Sequence, residues 1–145
     1  MRHNNLLTTA LFLLALVLAA PDAAAQQAAL RIEILNIKKN SGKLVVELYK
    51  DKASWLKQPF RRLTLPTDES AKTASFTLPE GRYAVTIYQD LNENGELGMN
   101  FLQIPREPIG FGNNYKPFGQ PKFEAALIDY RATSKPEAIK LYTVF

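Results

Sequence analysis

Cysteine is absent from the chain and histidine occurs once, as His3. No cysteine means no disulfide framework, no thiol nucleophile, no thiolate zinc site and no lipobox anchor. Long apolar runs are nearly absent too. The exception is Leu6–Ala20, 15 residues without a charge, preceded by Arg2 and followed by Ala23-Ala24-Ala25. A basic start, an apolar core and an A-x-A site are the features of a secretory signal peptide, with cleavage expected after Ala25. The run is short of the roughly 18–20 apolar residues that span a bilayer, and nothing comparable follows it, so no transmembrane span is expected in the mature chain. Loss of residues 1–25 removes His3, and with it any imidazole general base. The expected product is one domain over residues 26–145, periplasmic or secreted.

A concentrated basic stripe is also lacking. The chain holds 18 Lys and Arg against 14 Asp and Glu, a formal charge of +4; the leader takes one of each (Arg2, Asp22) and leaves the balance unchanged. Lys38-Lys39, Lys50 with Lys52 and Arg61-Arg62 are scattered, which argues against a nucleic-acid partner. Helical periodicity is missing as well.

What is present is alternation. Leu30, Ile32 and Ile34 alternate with Arg31 and Glu33; Leu44, Val46 and Leu48 with Val45, Glu47 and Tyr49. The turn signal Asn40-Ser41-Gly42 between them predicts an antiparallel hairpin. Alternation returns at Ala74–Leu78 and at Tyr83–Tyr88, joined by the turn Leu78-Pro79-Glu80-Gly81. Phe123–Tyr130 and Ala138–Phe145 are two further β-type runs. Ser54–Phe60 fits neither period and reads as a loop or single helical turn, with Trp55 and Phe60 folded back on the core. Six or seven short strands with one apolar face each predict an all-β antiparallel sandwich. Tyr83, just after a tight turn, is expected to pin a sandwich corner.

Between Asp90 and Phe123 lie residues 91–122 without sustained periodicity. A loop of this length is usually functional or disordered. Phe101, Phe111, Tyr115 and Phe118 give it too much apolar surface for disorder, and Pro105, Pro108, Pro117 and Pro121 lessen its ordering entropy. A packed lid over one end of the sandwich is expected, with Phe101, Phe111 and Phe118 largely buried. The candidate binding surface on this loop comprises Glu107, Phe111, Asn113, Asn114 and Tyr115.

The sharpest local motif is Asp90-Leu91-Asn92-Glu93-Asn94-Gly95-Glu96. Calcium takes six to eight oxygens, and alternate positions of a tight loop aim theirs at one centre. Asp90, Asn92, Asn94 and the carbonyl of Glu96 are the candidate ligands, for weak calcium binding. The second half of such a loop is missing: Gly98 stands at the ninth position and Phe101 at the twelfth, where a bidentate glutamate is expected. A plain Asx turn with glycine at a left-handed position accounts for the same residues. No serine sits in a G-x-S-x-G setting, so no nucleophile stands out. Glu107 and Asp129 are candidate paired carboxylates for glycoside hydrolysis, one of many such pairs among the acids of this chain. No catalytic residue is assigned.

The succession Leu78-Pro79-Glu80-Gly81-Arg82-Tyr83-Ala84-Val85, Asp90–Gly95, Ile104-Pro105-Arg106-Glu107-Pro108, Gly110-Phe111-Gly112-Asn113-Asn114 and Phe118–Ala126 resembles the DUF2141 family of exported bacterial proteins. The resemblance spans nearly all of the mature chain. It implies export and one β-sandwich domain similar to transthyretin-like or immunoglobulin-like modules, and it supplies no catalytic residues. Two positions depart from the family pattern: Gly98 replaces an acid, and Gly112 replaces the serine of GFSNN. The function expected is a non-enzymatic binding module for a small ligand or an envelope protein, acting through the 90–122 loop. The alternatives are an assembly module that pairs through a sheet edge and a two-carboxylate hydrolase.

Overall fold

The computed structural model describes residues 28–144; the expected leader lies outside them. Eight strands form two sheets, and the described residues contain no α-helix. The strands are β1 (Ala29–Leu35), β2 (Lys43–Tyr49), β3 (Arg61–Pro66), β4 (Lys72–Thr77), β5 (Gly81–Asp90), β6 (Ile109–Phe111), β7 (Leu127–Tyr130) and β8 (Glu137–Lys140). The smaller sheet runs β4-β1-β8, and the larger runs β3-β2-β5-β6 with β7 also on β5. All pairings are antiparallel except β1 with β8. No described helix is long and apolar enough to cross a membrane.

The apolar positions of the alternating runs fill the space between the sheets. Leu30, Ile32 and Ile34 of β1 and Ile139 of β8 meet Leu44, Val46 and Leu48 of β2 and Val85 and Ile87 of β5 in one buried cluster. Tyr83 joins it and its hydroxyl donates to the Pro79 carbonyl at 2.7 Å, closing the Leu78–Gly81 corner as expected.

Two expectations need correction. Asn40-Ser41-Gly42 does not close a hairpin: β1 and β2 lie in different sheets, and residues 36–42 cross between them. The side chain of Gln89, fully buried, staples this crossover by accepting from the Lys38 amide at 3.0 Å and donating to the carbonyls of Lys38 and Ser41 at 2.6 Å each. Gly42 is required there for two reasons. Its φ is +63°, and a Cβ would stand 1.9 Å from the Asp90 carbonyl oxygen. The second correction concerns the long segment, which is not featureless. It contains β6, paired to Thr86–Tyr88 of β5.

The long segment forms a third layer. In β5 every residue from Tyr83 to Asp90 is buried, so the strand is covered on both faces. On the face turned from the sandwich, Val45, Tyr49, Ala84 and Tyr88 pack with Trp55, Ile109, Phe111, Phe123 and Ala126 in a second apolar cluster. Trp55 is its hub, with ring centroids 5.0 Å from Tyr49, 5.8 Å from Phe123 and 6.4 Å from Phe111. The 51–60 turn and the 97–126 segment thus share one core against the larger sheet.

Candidate functional site

The Asp90–Gly98 turn is built around two buried carboxylates. Asp90 ends β5, and its Oδ1 accepts from the Asn94 amide at 3.2 Å while Oδ2 accepts from the Gly95 amide at 2.7 Å. Asn92 Oδ1 accepts from the Asn94 amide at 3.2 Å and Asn94 Oδ1 from the Glu96 amide at 2.9 Å. These are the side-chain-to-backbone bonds of successive Asx turns. Gly95 takes φ +81°, as the sixth position requires. Glu107 then straddles the base of the turn, accepting from the Leu91 amide at 2.7 Å and the Gly98 amide at 2.8 Å. Asp90 is 3% and Glu107 5% exposed, and charge-assisted bonds of this kind are what a buried carboxylate needs.

Among the described residues, no three His, Cys, Asp or Glu cluster as a metal-binding group. Glu96 is exposed, and Glu93 pairs with Lys43 at 3.2 Å. Gly98 is informative: a Cβ there would lie 3.5 Å from Glu107 Oε2. An acid at this position, as the family pattern has it, would add a carboxylate directly beside Glu107.

Beside the turn, a polar cluster lies on the outer face of the larger sheet. Arg62 donates to the Tyr88 hydroxyl at 2.8 Å, and Tyr88 donates to the Gly95 carbonyl at 3.0 Å; Arg62 also donates to that carbonyl. Glu47 accepts from Tyr49 at 2.7 Å and Thr86 at 3.3 Å, and pairs with Arg62 at 3.6 Å. Burial, reinforced by the Glu47 charge, pushes the Tyr88 phenol up to about 12. Burial and the Glu47 hydrogen bond raise Tyr49 as well. Both phenols therefore stay neutral donors, holding Glu47 and the Gly95 end of the turn. This cluster was not legible in the sequence, because Glu47, Arg62 and Tyr88 sit on three different strands.

Of the five residues expected to form a binding surface, Glu107 lies apart at the 90–98 turn, while Phe111, Asn113, Asn114 and Tyr115 follow one another along β6 and the turn after it. Glu107 and Phe111 are buried. The Asn113 amide group donates to the carbonyls of Ala125 and Leu127 at 3.2 and 2.6 Å. Asn114 donates to the Ala138 carbonyl at 2.7 Å and accepts from the Lys140 amide at 2.8 Å. Both asparagines have positive φ, 59° and 53°. Gly112 has no room for a side chain, since a Cβ would stand 2.1 Å from the Ala126 carbonyl oxygen; a serine there, as in the family pattern, requires that neighbour to shift. Tyr115 packs edge-on to Phe111 at 6.1 Å. The Gly110–Asn114 motif thus clamps the third layer to β7 and β8.

Phe101 and Phe118 are corrections of the opposite kind. They are 88% and 106% exposed, so the lid's mini-core is Phe111, Tyr115 and Phe123 without them. Phe101 sits with Leu102 at the tip of a tight turn in which Asn100 Oδ1 accepts from the amides of Leu102 and Ile104. The hydrolytic pairing also fails on geometry. Asp129 lies opposite Arg82 at the start of β5, whereas Glu107 binds just past its end. Ten strand residues at about 3.3 Å each put roughly 30 Å between the carboxylates, against about 5–9.5 Å in glycosidases.

Two open depressions flank the 115–124 segment. One, about 390 Å³, is lined by Asn36, Asn114, Lys116, Lys140, Leu141 and Tyr142. The other, about 490 Å³, is lined by Trp55, Phe123, Gln120 and Pro121 with Lys52, Lys57, Lys122 and Glu124. Their charged rims are lysine-rich, and Glu124 is bonded to Lys52 at 3.0 Å.

No curated protein and no solved structure matches the chain. The family model described as "Uncharacterized protein conserved in bacteria (DUF2141)" matches residues 32–138, which take in the Asp90–Gly98 turn and the Gly110–Asn114 motif, so the chain belongs to that family.

Proposed function

We propose that the protein is an exported, non-catalytic binding module whose contact surface is the third layer, residues 91–126 with the 51–60 turn. The observation that carries this reading is the pinning of that layer. Asp90, Asn113 and Asn114 hold its backbone to the sandwich and Glu107 ties its first turn together, while apolar and basic side chains are left facing solvent. A rigid scaffold presenting variable side chains is what a binding surface requires. The sheet-edge alternative has less support. Edge strand β3 carries Arg61, Arg62 and Pro66, and β4 carries Lys72, residues that blunt strand addition.

The test is site-specific photocrosslinking in the exported protein, with a photoreactive residue at position 118 or 120, or at 31 or 73 on the smaller sheet. Crosslinks are expected from the first pair only, on a protein whose amino terminus reads Gln26, or a residue within a few positions, by mass spectrometry. Crosslinks from 31 or 73 alone would place the surface elsewhere, and a retained Met1 would remove the export step.

Calcium belongs to this reading as a weak ligand of the 90–96 turn. Both Asp90 oxygens already accept backbone hydrogens, which supports a dissociation constant no tighter than about 10⁻⁴ M. Gly98→Asp should tighten it by about tenfold or more, a free-energy gain of about 1.4 kcal/mol, and should make stability fall on adding a chelator. Calorimetry on the two proteins decides the matter; micromolar binding by the wild type would show that oxygens outside this ligand set take part.

A further inference from the structure

Phe118 is held out into water by a segment that is otherwise firmly attached. On one side Tyr115 packs on Phe111, and Lys116 lies 5.0 Å over the Tyr142 ring. On the other, the Trp55 indole donates to the Pro121 carbonyl at 3.0 Å and Phe123 packs on Trp55. Pro117 precedes the ring, and Gly119 at φ +85° follows it. A loop pinned at both ends with a fully exposed phenylalanine at its apex has no folding reason to carry that ring.

The charges around it point one way. Lys116 and Lys140 rim the depression on one side; Lys52, Lys57 and Lys122 rim the other. Glu124 is the one acid lining either, and Lys52 answers it. The 51–60 turn, tied to this segment through Trp55, adds Leu56, 46% exposed. Apolar side chains projecting from a ring of lysines form the pattern of a surface that settles into a bilayer interface, with rings in the acyl boundary and ammonium groups among anionic headgroups. A folded protein partner would need a groove of matching shape for Phe118, whereas a fluid interface accepts a projecting ring without one.

The geometry points to peripheral docking of this face, through Phe118 and its flanking lysines, on a membrane rich in anionic lipid. This rests on the third layer being the contact surface and names its partner. The experiment is co-sedimentation with vesicles of phosphatidylglycerol and phosphatidylcholine against vesicles of phosphatidylcholine alone. Binding is expected to the first only, to weaken in high salt, and to fall about tenfold or more in Lys116→Glu/Lys122→Glu and in Phe118→Ser. Phe101→Ser should weaken binding less than Phe118→Ser does. In Phe118→Trp, bromine-labelled acyl chains should quench the added indole. All these positions are exposed, so unchanged near-ultraviolet circular dichroism will show the fold intact.

Equal binding to both vesicle types, no binding to either, or an undiminished Phe118→Ser would each overturn the assignment. So would a Phe101→Ser loss larger than that of Phe118→Ser. If single-stranded DNA competes the vesicles off and binds Phe118→Ser equally well, the face is merely polyanion-binding and the lipid assignment falls. Protein crosslinks from position 118 without vesicle binding would leave the contact surface standing and remove lipid as its partner. Absence of both removes the surface as well.

Discussion

Phe111→Ala is expected to destabilise the protein by about 3–5 kcal/mol, the usual cost of emptying a buried phenylalanine site. That is a large share of the roughly 5–15 kcal/mol by which a domain is stable. The ring is 4% exposed, lies on a three-residue strand opposite Thr86, and touches both Trp55 and Tyr115. Its removal leaves a cavity at the point where the third layer meets the larger sheet, and β6 is too short to hold that layer by backbone bonds alone. Phe118→Ala and Phe101→Ala, at exposed rings, should stay within about 0.5 kcal/mol of wild type. The single tryptophan, Trp55, sits in the same cluster, so its fluorescence follows the layer while far-ultraviolet dichroism follows the sheets. Coincident urea transitions with a lowered midpoint and an unchanged slope would mean that layer and sandwich unfold together. An early fluorescence transition in Phe111→Ala would mean the layer detaches first. A midpoint as high as that of Phe118→Ala would show that the second cluster is not a core.

The same residues show what the sequence can and cannot reveal. Alternation located β1, β2, β4 and β5, because a strand with one face toward a core repeats every two residues. The Tyr83 corner was legible for a similar reason: a turn with Pro79 and Gly81 fixes where the ring must go. Pairing partners were not legible. Asn40-Ser41-Gly42 carries the residues of a hairpin turn, yet these serve a crossover whose glycine is demanded by the Asp90 carbonyl, which is adjacent in space but 48 residues further along the chain (90 against 42). β3 offers only Leu63 and Leu65 on an exposed edge, and β6 is three residues long, so neither could register as a period. In the candidate site, the Asx turn was legible from the spacing of Asp90, Asn92, Asn94 and Gly95. Glu107, Asn113 and Asn114 are polar residues of a long loop, and polarity alone does not say which side chains tie down backbone groups, as all three do here. Phe101, Phe111 and Phe118 show the same ambiguity for rings, since neighbours distant in sequence decide which is buried.

Glu107→Ala should be the second large loss, about 3 kcal/mol, because it strips the acceptor from two part-buried amides at once. Each charge-assisted bond is worth about 1.5–3 kcal/mol, and the loss is partly offset where water reaches the vacated amides. The Glu107→Gln variant separates charge from shape. Its carbonyl can serve either Leu91 or Gly98, but the NH₂ then faces the other amide, donor against donor. The expected loss is therefore close to that of alanine rather than close to zero. Amide exchange locates the effect: Leu91 and Gly98 should lose protection in both variants, while the amide of Val46, deep in the sandwich, should keep it. A glutamine variant as stable as wild type would mean that only one of the two bonds, 2.7 and 2.8 Å, exists in solution. The variant also divides architecture from contact. Glu107 is 5% exposed and sits just past the Asp90 end of β5, whereas Trp55 packs on Tyr49, which pairs with Ala84 near the start of that strand. If it only ties down the turn at 90–98, a folded Glu107→Gln protein should still bind anionic vesicles through Phe118. A loss of vesicle binding at full folding would instead tie the carboxylate-held turn to the contact surface itself.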